Sequence, residues 1–160
     1  MNAFKTYPSM KNQLFDFDSL DEICLIDDDA SYIFLNKVIL KITHPHFKPL
    51  SFQNLDVAFD HFRNNMDANR LLFLDLHMGM RSGFDFLDQL STLILPNTQV
   101  VMHTTCDDEE NIQKAFSYNL VKAYITKPLS IEMIEQISGK DHSTQLPLGQ
   151  LGFVRFKTYL

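Results

Sequence analysis

Four short apolar segments of this 160-residue chain are each followed by a side chain that could take part in phosphate or metal chemistry. These side chains are Asp27 and Asp28, Asp75, Thr104, and Lys127. Carboxylates that share one place repel one another unless a cation joins them, and oxygen ligands of this kind suit Mg²⁺. A lysine and a hydroxyl group can offset charge on a transferring phosphoryl group. If the fold brings these residues together, the set is suited to accept a phosphoryl group on a carboxylate.

The apolar segments have the length of short buried strands. In Leu71 to Leu74, four apolar residues stop at a carboxylate, which is typical of a strand buried on both faces of a parallel sheet. Between the segments, apolar residues recur at helical spacing, as at Leu35, Val38, Ile39 and Ile42, which we expect to form one helical face. Five strand-then-helix units predict an α/β fold, a doubly wound five-stranded parallel sheet with helices on both faces. The other predicted strands are Ile23 to Ile26, Leu50 to Phe52, Val100 to Met102 and Ala123 to Ile125.

Parallel strands bring their carboxyl ends to one edge of a sheet, which is where ligands bind in open α/β folds. The intervals from Asp75 to Thr104 and from Thr104 to Lys127 each leave room for one helical crossover. An unpaired charge at the end of a buried strand would be costly, so Asp75 is expected to have partners. The sequence therefore predicts one site at this edge.

Composition restricts the class of partner. The formal net charge of −6 argues against direct binding to nucleic acid, which depends on basic contacts to phosphates. No apolar run approaches the ~20 residues of a membrane span, and the first residues lack the apolar stretch of a secretory signal. Cys24 and Cys106 have no disulfide or metal spacing. We expect a cytoplasmic protein whose partners are other proteins.

The chain is expected to hold one domain with two extensions. Residues 21–138 form the predicted domain, and residues 1–20 form an N-terminal extension rich in aromatic residues. Residues 139–160 are predicted to be a linker followed by a short apolar tail, too short for an effector domain. The last ten residues, LGFVRFKTYL, are most simply a strand or helix packed on their own domain, and a homodimer contact is the alternative.

Over roughly Glu22 to Ser138, the pattern resembles the receiver domain of two-component response regulators. The family is flavodoxin-like, and the resemblance implies a strand order of 2-1-3-4-5. Two departures stand out: Gly79 lies where the family usually has proline, and His103 lies at a usually apolar position. The resemblance rests on LIDDD at 25–29, on Asp75 followed by Met78 and Gly83, on Thr104, and on YITKP at 124–128.

The resemblance implies a role for each residue at the phosphoryl site. Asp75 would accept the phosphoryl group from a histidine kinase or a phosphotransfer protein. Lys127 and Thr104 would contact the phosphoryl oxygens. Thr104 would turn inward and Tyr124 would follow it from an outward to an inward rotamer. The surface of the fourth helix, the fifth strand and the fifth helix would then switch its binding of a downstream protein.

The resemblance also implies a Mg²⁺ site. Asp28 and Asp75 would bind the ion directly, Asp27 mainly through water, and His77 through its backbone carbonyl group. The implied function is that of a stand-alone regulator of the chemotaxis or phosphorelay type. Such a protein assists only its own phosphorylation and dephosphorylation, and we do not expect an enzyme.

Two other functions are compatible with the sequence. A Mg²⁺-dependent phosphatase of the haloacid dehalogenase type would use Asp27 and Asp29, with Thr104 and the acidic pair at 107–108. That interpretation leaves Asp75 without a role and places Lys127 after the acidic pair rather than before it. The other alternative is a degenerate receiver that binds partners without phosphorylation, against which the complete acidic set and the lysine argue.

Overall fold

The computed structural model describes residues 15–139 and 154–157 of the chain. Five strands form the parallel part of the sheet: β1 (Glu22–Ile26), β2 (Leu50–Phe52), β3 (Arg70–Leu74), β6 (Thr98–Thr104) and β7 (Val121–Thr126). Three short strands complete the set: β4 (His77–Met78), β5 (Arg81–Ser82) and β8 (Val154–Phe156). The α-helices are α1 (Ala30–Thr43), α2 (Leu55–Asn64), α3 (Gly83–Leu90), α4 (Glu109–Ser117) and α5 (Ile131–Ser138).

The strands of the main sheet lie in the order β2-β1-β3-β6-β7-β8. Counted along the chain, the five parallel strands have the order 2-1-3-4-5, so the predicted doubly wound α/β fold is confirmed. The sheet is one strand wider than predicted, because β8 pairs antiparallel with β7. The remaining strands, β4 and β5, form a separate two-stranded hairpin just after β3.

Strand β3 is buried along its whole length because helices cover both of its faces. Leu72 and Leu74 pack with the side chains of α2 and α3, whereas Leu71 and Phe73 pack with those of α1 and α5. Neither face of the strand meets water, which explains why residues 71–74 form an uninterrupted apolar run. Asp75 therefore directly follows a strand that is buried along its whole length.

The face that helix α1 presents to the core agrees only in part with its apolar pattern. The buried residues are Ile33, Asn36 and Leu40. Of the four residues expected to face inward, Ile39 packs against the core, whereas Val38 and Ile42 are 38% and 60% exposed. The helix carries more apolar residues than one face holds, so periodicity alone did not identify the buried face completely.

The described parts of the two extensions pack on the domain. Phe15 and Phe17 are buried in the cluster beneath α1 and α5, and the Phe15 amide donates a hydrogen bond to the Ile137 carbonyl oxygen (3.1 Å). Residues 154–156 form strand β8, as expected for a tail packed on its own domain. Residues 1–14, most of the predicted N-terminal extension, and residues 140–153 and 158–160 lie outside the described part. None of the described helices combines the length and apolar character needed to cross a membrane.

Candidate functional site

The structure brings Lys127 into contact with two aspartates at the carboxyl edge of the sheet. Asp27 directly follows β1, Asp75 follows β3, and Lys127 follows β7. The Lys127 Nζ atom lies 2.6 Å from the Asp27 Oδ2 atom and 3.0 Å from the Asp75 Oδ2 atom, and all three side chains are almost fully buried. Three residues that are far apart in the sequence therefore form one ion-paired group.

Asp28 joins this group to make a set of oxygen ligands suited to a divalent cation. Asp27, Asp28 and Asp75 each offer a carboxylate oxygen, and these three oxygens lie within 4.8 Å of one another. The Asp75 Oδ1 atom is buried and has no hydrogen-bond partner. Asp28 is exposed, which leaves water access to one side of the group. Mg²⁺ prefers few carboxylates together with water, so these residues fit that ion.

Burial and charge set the protonation states of the ion-paired group. Burial raises the pKa of Asp27, and the hydrogen bond from Lys127 offsets part of that effect. Burial alone would lower the pKa of Lys127, but its bonds to Asp27 and Asp75 outweigh burial and raise that pKa above its ordinary value. Lys127 therefore stays charged, and one cation faces three carboxylates. The remaining negative charge favours binding of a further cation.

Tyr32 on α1 is a member of the site that the sequence analysis missed. The Lys127 Nζ atom lies over the Tyr32 ring, 4.1 Å from its centroid. A cation at this distance is attracted to the face of the ring. Nothing in the sequence indicates this contact, because the spacing along α1 shows only that Tyr32 lies near the start of the helix.

Thr104 and Tyr124, the predicted switch pair, both bond to the backbone of Cys106. Thr104 is fully buried, and its Oγ1 atom accepts a hydrogen bond from the Cys106 amide (3.3 Å). The buried Tyr124 hydroxyl donates to the Cys106 carbonyl oxygen (2.8 Å). The loop between β6 and α4 is thus held from both sides. The ring of Tyr124 already lies inward without a phosphoryl group, which differs from the outward starting position that the resemblance implies.

His103, next to Thr104, is buried on the α1 side of the sheet. Its Nδ1 atom lies 3.3 Å from the Asn36 Nδ2 atom, and its Nε2 atom is buried without a hydrogen-bond partner. Burial, assisted by the charge of Lys127, lowers the pKa of His103 to about 3. The ring is therefore neutral at physiological pH. The unusual polar residue at this position has a polar neighbour on α1, which the sequence could not pair with it.

The loop after Asp75 depends on two glycines. Gly79 has a φ angle of 65°, which proline cannot adopt, so the residue that the family usually has would not fit this turn. A Cβ atom on Gly83 would lie 2.5 Å from the Asp75 carbonyl oxygen, so only glycine fits there. His77, the predicted backbone ligand, lies in this loop at the start of β4, with its side chain exposed.

A second group of possible metal ligands lies at the opposite end of β1, but an ion pair already uses it. Glu22, Cys24 and His61 offer donor atoms within 4.8 Å of one another. The fully buried Arg70 places its Nε atom 2.6 Å from a Glu22 carboxylate oxygen, and His61 Nε2 lies 3.0 Å from the other. Burial raises the pKa of the Cys24 thiol, which disfavours the thiolate that would bind a metal. Arg70 therefore already supplies the positive charge that a metal ion would bring to this group.

Comparison with protein families agrees with this geometry. The family model described as the response regulator receiver domain matches residues 23–138, which is most of the chain. The chain belongs to the response regulator receiver family. Receivers are signalling domains that generally bind Mg²⁺, and the acidic group described above lies inside the matched region. Comparison with curated protein sequences finds no match, and neither alternative function gains support.

Several solved structures share the fold. A two-component response regulator from Cytophaga hutchinsonii superposes with a TM-score of 0.67 at 22% identity, covering 76% of this chain and 96% of that one. A response regulator receiver domain from Rhodospirillum rubrum gives 0.64 at 24% identity, with coverages of 79% and 96%. A response regulator receiver protein from Dyadobacter fermentans DSM 18053 gives 0.64 at 20% identity, with coverages of 72% and 93%. At these identities the similarity establishes the fold.

Proposed function

We propose that this receiver accepts a phosphoryl group on Asp75 from a histidine kinase or a phosphotransfer protein. The observation that carries the proposal is the environment of the Asp75 carboxylate. One of its oxygens contacts Lys127, and the other is buried without a hydrogen-bond partner. That second oxygen is the candidate nucleophile. It would attack the phosphorus of a phosphohistidine, forming an O–P bond as the P–N bond breaks and its electron pair returns to the ring nitrogen.

The other residues of the site would stabilise the transferring group. Lys127 would move from the aspartates toward a phosphoryl oxygen, and the Thr104 hydroxyl would donate a hydrogen bond to another. When bound, Mg²⁺ would offset charge on the phosphoryl oxygens. Its proposed ligands are the carboxylates of Asp27, Asp28 and Asp75 and the backbone carbonyl group of His77.

The bonds to Cys106 support a two-state output. If Thr104 turns toward a phosphoryl group, its Oγ1 atom no longer accepts the Cys106 amide, and the loop before α4 is free to rearrange. Tyr124 already lies inward and bonds the carbonyl group of the same residue, so a rearrangement of this loop would break that bond. The proposed result is a change in the surface formed by α4 and β7, which a downstream protein would bind.

This function involves no turnover of a separate substrate. We propose that the protein passes its state to a partner in the cytoplasm and that it works without an effector domain, as phosphorelay or chemotaxis regulators do. The mass of the protein isolated from its natural source tests the stand-alone arrangement, and the mass in solution tests whether a homodimer forms.

A labelled small phosphodonor tests the phosphoacceptor role. The full chain should acquire label in the presence of Mg²⁺, and Asp75→Asn should abolish it. Asp29→Asn is the matched control, because Asp29 is exposed and caps α1 through its hydrogen bond from the Ser31 amide (2.7 Å), which asparagine can also accept. Label retained in Asp75→Asn would refute the assignment.

A further inference from the structure

The acidic group at the edge of the sheet has a buried half and an exposed half. Asp27 and Asp75 are buried, and Lys127 bonds to both of them, so their carboxylates are held from within the domain. Asp28 is exposed, and the side chain of His77 in the neighbouring loop is exposed as well. Contacts at the surface of the domain therefore decide how firmly these two loops are held.

Arg81 ties the hairpin of β4 and β5 to two helices. It lies opposite Met78 in the hairpin. Its Nη1 atom lies 2.7 Å from the Asp56 Oδ1 atom, in the first turn of α2, and its Nη2 atom donates a hydrogen bond to the Gln89 Oε1 atom of α3 (2.9 Å). Two nitrogens of one rigid guanidinium group thus hold the hairpin between α2 and α3, which the single nitrogen of a lysine would not do.

The corner between β2 and α2 supports the loop that carries Asp28. The Gln53 Nε2 atom donates a hydrogen bond to the Asp28 carbonyl oxygen (3.1 Å). Asn54, the next residue, caps α2 by accepting hydrogen bonds from two amides of its first turn. The start of α2 therefore contacts the Asp28 loop through Gln53 and the hairpin through Asp56 and Arg81.

The two supported loops meet beside the acidic group. A Cβ atom on Gly79, at the tip of the hairpin, would lie 4.0 Å from the Asp28 Oδ2 atom. The hairpin begins at His77, two residues after Asp75, and the His77 carbonyl group is a proposed ligand of the ion. A shift of the hairpin relative to α2 therefore changes the separation of the His77 carbonyl group and the Asp28 carboxylate.

The separation of oxygen ligands distinguishes Mg²⁺ from Ca²⁺. Mg²⁺ is small and demands near-ideal octahedral geometry, whereas Ca²⁺ is larger and accepts irregular sets of more distant oxygen ligands. A site whose ligands are held at fixed separations favours Mg²⁺, and a site whose ligands can move apart loses part of that preference. Residues that hold the two exposed loops thus affect which cation binds.

We propose that Arg81 and Gln53 are positioning residues that set the preference of this site for Mg²⁺ over Ca²⁺. Neither residue is a ligand; together they hold the Asp28 loop and the hairpin at the separation that an octahedral ion requires. The inference rests on the proposed Mg²⁺ site and names the residues that determine its cation specificity. The side chains of Arg81 and Asp56 are 39% and 73% exposed, so water screens their attraction and its effect on affinity is moderate.

Calorimetric titrations of the full chain with Mg²⁺ and with Ca²⁺ test this role. Arg81→Met removes both bonds and keeps much of the length of the side chain. It should weaken Mg²⁺ binding about threefold to fivefold and Ca²⁺ binding less than about twofold. Arg63→Met is the matched control, because Arg63 pairs with Asp60 of its own helix at 2.9 Å and both side chains are exposed. The control should leave both affinities unchanged.

A reversed ion pair separates positioning from other effects of the substitution. Arg81→Glu should lower the ratio of Mg²⁺ to Ca²⁺ affinity, and a further Asp56→Arg change should restore most of it, since the pair forms again with its charges exchanged. The two ions carry the same charge, so a change in net charge affects both affinities alike and cancels in the ratio. Gln53→Met, which removes the bond to the Asp28 carbonyl group, should lower the ratio independently.

Hydrogen exchange of the metal-free protein provides a readout that needs no ion. The amides of the β4–β5 hairpin should exchange faster in Arg81→Met than in the wild type, and those of β3 should not. Hairpin amides that exchange at the wild-type rate, or affinity ratios unchanged in Arg81→Met, Arg81→Glu and Gln53→Met, would overturn this inference and leave the metal site in place. A wild-type chain that binds neither ion would refute the proposed metal site, and the inference with it.

Discussion

At the scale of single residues, burial decides the charge of the groups around the site. His103 and Asn36 face each other inside the domain. None of the described contacts of the His103 ring is with an anion, so nothing there favours the charged imidazolium form. Lys127 keeps its charge because two aspartates and the ring of Tyr32 surround it. Both residues therefore have well-defined protonation states, and both lead to measurable effects.

His103 should make the protein sensitive to mild acid. Its pKa is about 3 in the folded state, below the ordinary value of 6.5, so the unfolded chain binds a proton that the folded protein does not. This contribution to stability is complete above pH 6.5 and is lost as the pH falls toward 3. Between pH 6.5 and 5 the loss should be about 2 kcal/mol. Urea unfolding at several pH values measures how the free energy of unfolding changes with pH. His103→Gln should remove the part of this change that His103 causes.

The matched control for His103 is His77→Gln, which makes the same change on an exposed side chain. The control should keep the acid sensitivity of the wild-type protein. If His103→Gln and His77→Gln have the same pH dependence, the buried imidazole is not its source.

Tyr32 should help to position Lys127 during phosphoryl transfer. The face of the ring, rather than the hydroxyl group, provides the attraction, which is worth about 1–2 kcal/mol where the cation is desolvated, as the buried Lys127 side chain is. Tyr32→Leu should therefore slow incorporation of label into Asp75 by about five- to thirtyfold. Tyr32→Phe should keep the rate within about twofold of the wild type. Equal rates for leucine and tyrosine, or an equally slow phenylalanine variant, would exclude this role.

At the scale of the structural elements, the loop from β3 to α3 holds the site by close packing. The position of Gly83 against the Asp75 carbonyl group leaves no room for a side chain, and Ser82 and Asp85 fix the start of α3 with a capping box. Gly79 is different, because a Cβ atom there would lie at an ordinary contact distance of 4.0 Å from the Asp28 Oδ2 atom, so its positive φ angle is the main restriction. The two glycines of one loop thus serve separate purposes.

Substitution of these glycines should separate the two effects. Gly83→Ala should destabilise the protein by about 1–3 kcal/mol, because the new methyl group must displace the backbone that carries Asp75. It should also weaken Mg²⁺ binding. Gly79→Ala should cost about 1–2 kcal/mol through its backbone conformation and leave Mg²⁺ binding close to that of the wild type. Urea unfolding and a Mg²⁺ titration measure both quantities, and similar Mg²⁺ affinities for the two variants would contradict this division.

The sequence predicted the parallel strands and the residues at their ends for a definite reason. A strand buried on both faces leaves an uninterrupted apolar run, and a run that stops at a charge also marks the edge of the sheet, as at Asp75. Contacts between distant elements leave no such trace. The contact of Lys127 with Tyr32 and the proximity of His103 to Asn36 arise only when α1 is packed on the sheet. The buried face of α1 was predicted only in part, because its apolar residues exceed one helical face.

The pairing of β8 with β7 is another contact that the sequence does not reveal. Val154, Arg155 and Phe156 alternate as strand residues do, but nothing in that short pattern specifies β7 as the partner. Arg70 is a further example, since an arginine at the start of a strand is usually exposed. It is fully buried here because Glu22 on the neighbouring strand supplies the opposite charge.

At the scale of the whole molecule, the acidic edge of the sheet does not stabilise the metal-free fold. Asp27 is buried with a raised pKa, so its ionised form is less favourable in the folded protein than in the unfolded chain. At neutral pH this charge therefore opposes folding. A bound divalent cation reverses the balance, because it binds the folded protein and not the separated carboxylates.

Removal of the Asp27 charge should have opposite effects with and without Mg²⁺. In metal-free buffer, Asp27→Asn should be more stable than the wild type by on the order of 1 kcal/mol, as is common at strained functional sites. Mg²⁺ at about 100 times its Kd should stabilise the wild type by about 2.7 kcal/mol and the variant by less. Thermal or urea unfolding with and without Mg²⁺ measures the difference. A variant that is destabilised in metal-free buffer would show that the ion pair with Lys127 outweighs burial.

The measurement that tests the central claim most directly is the location of the phosphoryl group. The full chain is incubated with a small phosphodonor and Mg²⁺, and its intact mass and peptide fragments are then determined by mass spectrometry. We predict one phosphoryl group per chain, on Asp75, and no incorporation when a chelator removes Mg²⁺ before the phosphodonor is added. A phosphoryl group on Asp27 or on another carboxylate, or a chain that binds Mg²⁺ and remains unmodified, would contradict the account.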